Sequence, residues 1–198
     1  MIKSIIFDWF GVCTKEFRKI LSEELYKKFG INKKLVIKSY VKYEFPFILR
    51  KINSKKVLSN MFKEFHINKN VNDYAYIFKS KPKLRKDVFK LIKKLKANYK
   101  TALLSDNFDD MTKTIRKSLY LKRYFDLVVF SNEVGLVKRE NKVYKFIIKK
   151  LEDKPKECVF IDDKKENIER AGRLGINGIL FKNIKQVRTE LAKSGVKI

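Results

Sequence analysis

Acidic residues are scarce in this chain: of 198 residues, 22 are Asp or Glu against 48 Lys or Arg, a formal net charge of +26. Cysteine is scarcer still, with only Cys13 and Cys158, each inside or beside an apolar run. Two thiols cannot build a disulfide framework, and although the sequence leaves a single bridge open, the simplest expectation is two buried, inert side chains in a reduced, cytoplasmic protein. No apolar stretch approaches the roughly 20 residues a bilayer crossing needs, so no membrane span is expected. The opening run Ile5–Val12 is too short for a secretory leader and lacks a cleavage-like flank, so it reads as structure. Histidine occurs once, as His66 among apolar neighbours, where packing or surface exposure is the expected role rather than metal ligation.

What is present is ample material for a core, 44% hydrophobic residues, enough for one domain or one domain with a modest insert. The positive charge is spread along the whole chain in pairs such as Lys27-Lys28, Lys93-Lys94 and Lys149-Lys150. Scattered pairs mark a solvated surface with loose, salt-sensitive attraction for polyanions, not a specific nucleic-acid site.

After the first strand, apolar residues at Phe17, Ile20, Leu21, Leu25 and Phe29 keep helical spacing until Gly30. Helical patterns continue through Tyr40–Leu49, Val57–Phe65 and Tyr74–Phe78 with no strand between them, so residues 15–80 read as an all-helical insert. From Pro82 onward, helices alternate with short β-rich runs at Thr101–Leu104, Val128–Phe130, Cys158–Ile161 and Gly178–Phe181. Strands separated by helices imply parallel pairing, hence an α/β fold with a doubly wound sheet covered on both faces. Reactive groups in such sheets gather beyond the carboxyl ends of the strands, and here those ends carry Asp8, Ser105, Ser131 and the pair Asp162-Asp163. Neighbouring carboxylates at a buried strand end repel unless a cation or hydrogen-bond donors offset them.

Four segments in this order resemble the motifs of the haloacid dehalogenase-like hydrolase superfamily. They are Phe7-Asp8-Trp9-Phe10-Gly11-Val12; Leu103-Leu104-Ser105-Asp106-Asn107; Asn132-Glu133-Val134-Gly135-Leu136-Val137-Lys138; and Phe160-Ile161-Asp162-Asp163-Lys164-Lys165-Glu166-Asn167-Ile168. The resemblance implies a discontinuous Rossmann-like core, residues 1–14 and 81–198, with residues 15–80 as a helical cap. It implies Asp8 as the nucleophile that forms an aspartyl-phosphate, and Mg²⁺ held by Asp8, the carbonyl of Phe10, Asp162 and Asp163. Lys138 would be a catalytic and phosphate-binding cation, with the Ser105 hydroxyl and the Asp106 amide holding phosphate oxygens. The expected activity is hydrolysis of a small phosphorylated metabolite, with sugar phosphates the leading class.

Two positions depart from that pattern. Most phosphatases of the superfamily carry a second aspartate two residues past the nucleophile, as general acid and base, and here it is Phe10. Losing such a group forfeits about 10²- to 10⁴-fold in rate. The dehalogenase branch also has an aromatic there and releases halide, which needs no proton, without a metal; the acidic fourth motif argues against that branch. A site that binds phosphate or polyanions with little turnover is the third possibility. The other departure is Arg139, directly after Lys138, where the family commonly has proline: it either adds an anion contact or is one more exposed basic residue, and the latter is expected. On the insert, Tyr40, Tyr43, Phe45 and Phe47 could line a pocket, although helix packing is expected for most of them.

Overall fold

The computed structural model describes residues 1–198. Five strands, β1 (Ser4–Phe7), β2 (Lys100–Ser105), β3 (Leu127–Phe130), β4 (Cys158–Asp162) and β5 (Asn177–Leu180), form one sheet in the order β3-β2-β1-β4-β5. All four pairings are parallel. The helices are α1 (Phe17–Phe29), α2 (Lys33–Ile48), α3 (Ser54–Glu64), α4 (Lys86–Leu95), α5 (Asp109–Ser118), α6 (Ser131–Val134), α7 (Asn141–Leu151), α8 (Lys165–Gly172) and α9 (Ile184–Lys193).

Alternation along the strands divides the interior in two. Ile6, Ala102, Leu104, Val129 and Phe160 face Val143, Tyr144, Ile147 and Ala171 of α7 and α8. Ile5, Phe7, Leu103, Phe130, Val159 and Ile161 face the opposite way, into a larger cluster that runs on into the helical segment through Phe17, Leu21, Leu58 and Phe62. Because β1 is central and buried on both faces, it reads as a continuous apolar run, as parallel strands do. Cys13 and Cys158 are free, buried, and belong to opposite clusters.

Between Thr14 and Leu84, which pair as an antiparallel bridge, the chain carries helices and one 3₁₀ stretch, Val71–Lys79. Gly30 closes α1 in the left-handed conformation, φ 69°, as its position after Phe29 suggests. Ahead of β4, a 3₁₀ turn over Pro155–Glu157 is closed by Glu157, whose carboxylate accepts the Lys154 N–H at 2.9 Å and pairs with Lys3 at 2.9 Å.

Candidate active site

The polar strand ends meet on one edge of the sheet. Asp8 follows β1, Ser105 closes β2 and is followed by Asp106, Ser131 follows β3, and Asp162 closes β4 before Asp163. The chain runs outward through β2 and β3, then returns to place β4 beside β1. That reversal is where open α/β sheets leave a crevice, and Asp8 and Asp162 stand on either side of it.

Lys138, beyond α6, reaches into the crevice with its Nζ 2.6 Å from Asp8 Oδ1 and 2.7 Å from Asp162 Oδ2, all three side chains buried. Its backbone is held on both sides. The Asp106 carboxylate accepts the Lys138 N–H at 3.0 Å and the Ser131 O–H at 2.5 Å, and the Tyr144 hydroxyl donates to the Lys138 carbonyl at 2.9 Å. Asp162 accepts the Lys164 N–H at 2.8 Å and, on each oxygen, the Asn167 amide at 3.0 Å. Asp8 is oriented by the Trp9 N–H, which donates to Oδ1 at 2.6 Å.

Oxygens of Asp8, Asp162 and Asp163 lie within 4.8 Å of one another. Burial pushes the Asp8 carboxyl well above the usual carboxylate range; Lys138 pulls it down, and Asp162 and Asp163 push it further up. Asp163 is raised by burial and then by Asp162. Burial opposes the charge on Lys138, yet Asp162, Asp8 and Asp106 together hold its ammonium well above its ordinary value. Three carboxylates thus face one ammonium, and Asp163 Oδ1 is buried without a partner. An all-oxygen donor set with excess negative charge fits a hard divalent cation such as Mg²⁺. Gly11 lets the first loop come this close: its φ is +89°, and a Cβ there would stand 2.0 Å from Asp163 Oδ2. The Ser105 hydroxyl is also buried without a partner.

In front of Asp8 lies a cavity of about 200 Å³, walled by Phe10, Asp106, Lys138 and Asn167 on the sheet side and by Phe17, Arg18, Glu44, Phe45 and Ile48 of α1 and α2 on the other. Phe10 packs parallel to Phe108 (centroids 6.4 Å apart, planes at 15°) and against Phe17. Of the insert's four singled-out aromatics only Phe45 lines the cavity; Tyr40 and Phe47 are buried in the core and Tyr43 packs on it. His66 is exposed just past α3. Arg139 is exposed as expected but is no bystander: it lines the cavity, its guanidinium 3.7 Å from the centre of the Phe45 ring. The sequence reading used Asp106 for its amide, whereas here its side chain orders Ser131 and the Lys138 backbone. Asn167 stands within the fourth motif and Tyr144 downstream of the third, but the sequence reading gave neither a role; the available signal was the position of Asn167 in the first turn after the Asp162-Asp163 pair.

The profile of "Hydrolase: haloacid dehalogenase-like hydrolase" matches residues 2–175. The chain belongs to the haloacid dehalogenase-like hydrolases. Among curated relatives, "Bifunctional epoxide hydrolase 2" of Rattus norvegicus is 32% identical over 102 residues, 50% of this chain but 18% of that enzyme's length. "Phosphorylated carbohydrates phosphatase" of Thermotoga maritima is 25% identical over 134 residues, 68% of this chain and 60% of that one. A solved structure of a family enzyme from Bacteroides thetaiotaomicron, in complex with magnesium and inorganic phosphate, superposes with a TM-score of 0.71 at 23% identity, covering 92% of this chain and 95% of its own. Solved dehalogenases share the fold as well. This haloacid dehalogenase-like hydrolase therefore has relatives of more than one chemistry, and the site has to decide between them.

Proposed function

We propose that the chain is a Mg²⁺-dependent phosphatase that hydrolyses a small phosphorylated metabolite through an aspartyl-phosphate on Asp8. The observation that carries this reading is the imbalance of three clustered carboxylates against one buried ammonium, which a divalent cation would correct.

In the first step an Asp8 carboxylate oxygen bonds to phosphorus while the ester P–O bond breaks and the leaving oxygen takes a proton from solvent. In the second, water attacks the same phosphorus, releasing inorganic phosphate and the free Asp8 carboxylate. Lys138 favours the ionised form of Asp8 against the effect of burial and presents positive charge to the transferring group. The unpartnered Ser105 hydroxyl and the Asp106 amide take phosphate oxygens. Asp8, the Phe10 carbonyl, Asp162 and Asp163 would hold Mg²⁺, which when bound reduces the repulsion between a carboxylate and a phosphate dianion. Residues 15–80 act as a cap that walls the far side of the cavity, and the Thr14–Leu84 bridge is its neck. The named activity of the Thermotoga relative supports a phosphorylated carbohydrate as the first class to screen, and the free buried thiols suit a cytoplasmic setting.

Phe10 favours one competing reading, halide displacement from a 2-haloacid, because that reaction needs no proton donor. The two are separated by metal: phosphate release that stops with a chelator and returns with Mg²⁺ supports the phosphatase, whereas halide release that persists in chelator supports the dehalogenase. Neither release, with phosphate still bound, would leave a binding protein on an enzyme fold.

A further inference from the structure

Arg139 stacks on Phe45 while the chain leaves its hydrogen-bond donors unpaired. At 3.7 Å from the ring centre, its guanidinium can only lie flat on Phe45. That stack uses the face of the group; its five N–H donors lie in the plane and point outward. No carboxylate or carbonyl of the chain accepts from them. The carboxylate beside Phe45, that of Glu44, is taken instead by Arg18, with Nε 3.0 Å from Oε1 and Nη2 on the other oxygen. Lys164, on the same cavity, also pairs with no carboxylate, and its charge acts on Asp106 and Asp163.

A planar fork fixed by an aromatic ring loses little freedom when it binds, and it matches a carboxylate or phosphate through two parallel hydrogen bonds. The phosphoryl end of the cavity already has Lys138, so Arg139 is surplus to it. At about 200 Å³ the cavity, which Asp8 and Arg139 both line, is smaller than the ~300–1,000 Å³ of sites for drug-sized ligands, which favours a short organic part.

We propose that the substrate is a short phosphomonoester whose organic part carries a second anionic group, gripped by the Arg139 fork, with Lys164 adding positive potential. The identity of the first anion rests on the phosphatase reading; the grip on the second does not. Because Arg139 directly follows Lys138, a substrate that seats the fork also fixes the loop carrying the catalytic ammonium.

The test compares phosphoglycerate with glycerol phosphate, which share a three-carbon skeleton and differ in one carboxylate. The native chain is expected to favour phosphoglycerate in kcat/KM by about 10- to 100-fold, the range of one charge-assisted bidentate contact. Arg139→Ala should lower that ratio at least tenfold, Arg139→Lys should restore only part of it, and Phe45→Leu, which keeps the charge but frees the fork, should fall between. The same probes titrated onto Asp8→Asn with Mg²⁺, with and without Arg139→Ala, give the preference as binding and need no turnover. Selective binding without turnover would uphold the inference and sink the phosphatase; turnover without selectivity would do the reverse. Equal losses on both probes, no native preference, or no binding of either probe would overturn the inference.

Discussion

The Lys138 ammonium sits 2.6 Å from Asp8 Oδ1 in a site where both side chains are at most 5% exposed. The same ammonium reaches Asp162 at 2.7 Å, so one cation serves two buried carboxylates. Removing one partner of a buried ion pair costs about 3–5 kcal/mol because the other charge is left uncompensated. Lys138→Met should therefore unfold at a clearly lower temperature in chelator, lose turnover, and recover a larger share of its melting temperature on adding Mg²⁺ than the native chain does. Thermal unfolding with and without the ion checks this.

Gly11→Ala is expected to damage the metal site more than the fold. The left-handed φ of +89° adds about 1–3 kcal/mol of strain, and the new Cβ would displace Asp163, which lies 2.0 Å from it. Titrating activity against Mg²⁺ should show that at least tenfold more of the ion is needed for half-maximal activity, with a modest drop in melting temperature.

Phe10→Asp should return a proton donor to the cavity wall while removing a ring that packs on Phe108 and Phe17. The native chain should hydrolyse aryl phosphates far faster than alkyl phosphates, since an aryl leaving group needs little protonation. In the variant that gap should shrink, by up to the ~10²–10⁴-fold that general acid catalysis supplies, at a lower melting temperature. Paired rates on one aryl and one alkyl phosphate read the outcome.

Much of this was readable without coordinates. The run ending at Asp8, the strand ends Ser105, Ser131 and Asp162, and the helix stop at Gly30 are local signals, set by residues close in sequence. Between Thr101–Leu104 and Val128–Phe130 the alternation implied a helix without giving its bounds; α5 runs Asp109–Ser118 and turns Met111, Thr112 and Ile115 to the core. Helix α2 was seen only from Tyr40 although it starts at Lys33, and Pro46 lies within it near its end. The Arg18–Glu44 pair and the Arg139–Phe45 stack join residues 26 and 94 positions apart, and no local pattern announces such contacts.

Glu157 gives a pH-dependent contribution of known sign. The Lys154 N–H, then Lys3, hold its carboxyl at about 2, below the ordinary range. A carboxyl lowered in the folded state adds stability above its unfolded value and loses it as pH falls towards 2. Glu157→Gln should thus melt below the native chain at neutral pH, with the difference closing as the pH drops from roughly 5 towards 2. Parallel melts across that range measure it.

The central claim is that Asp8 is a phosphoryl-accepting nucleophile. Its most direct measurement is phosphate release from a simple aryl phosphate in Mg²⁺ by the native chain beside Asp8→Asn, both verified as folded by circular dichroism. Turnover by the native chain that Asp8→Asn abolishes is the predicted result. Equal rates for the two, or no release from folded native protein, would contradict it.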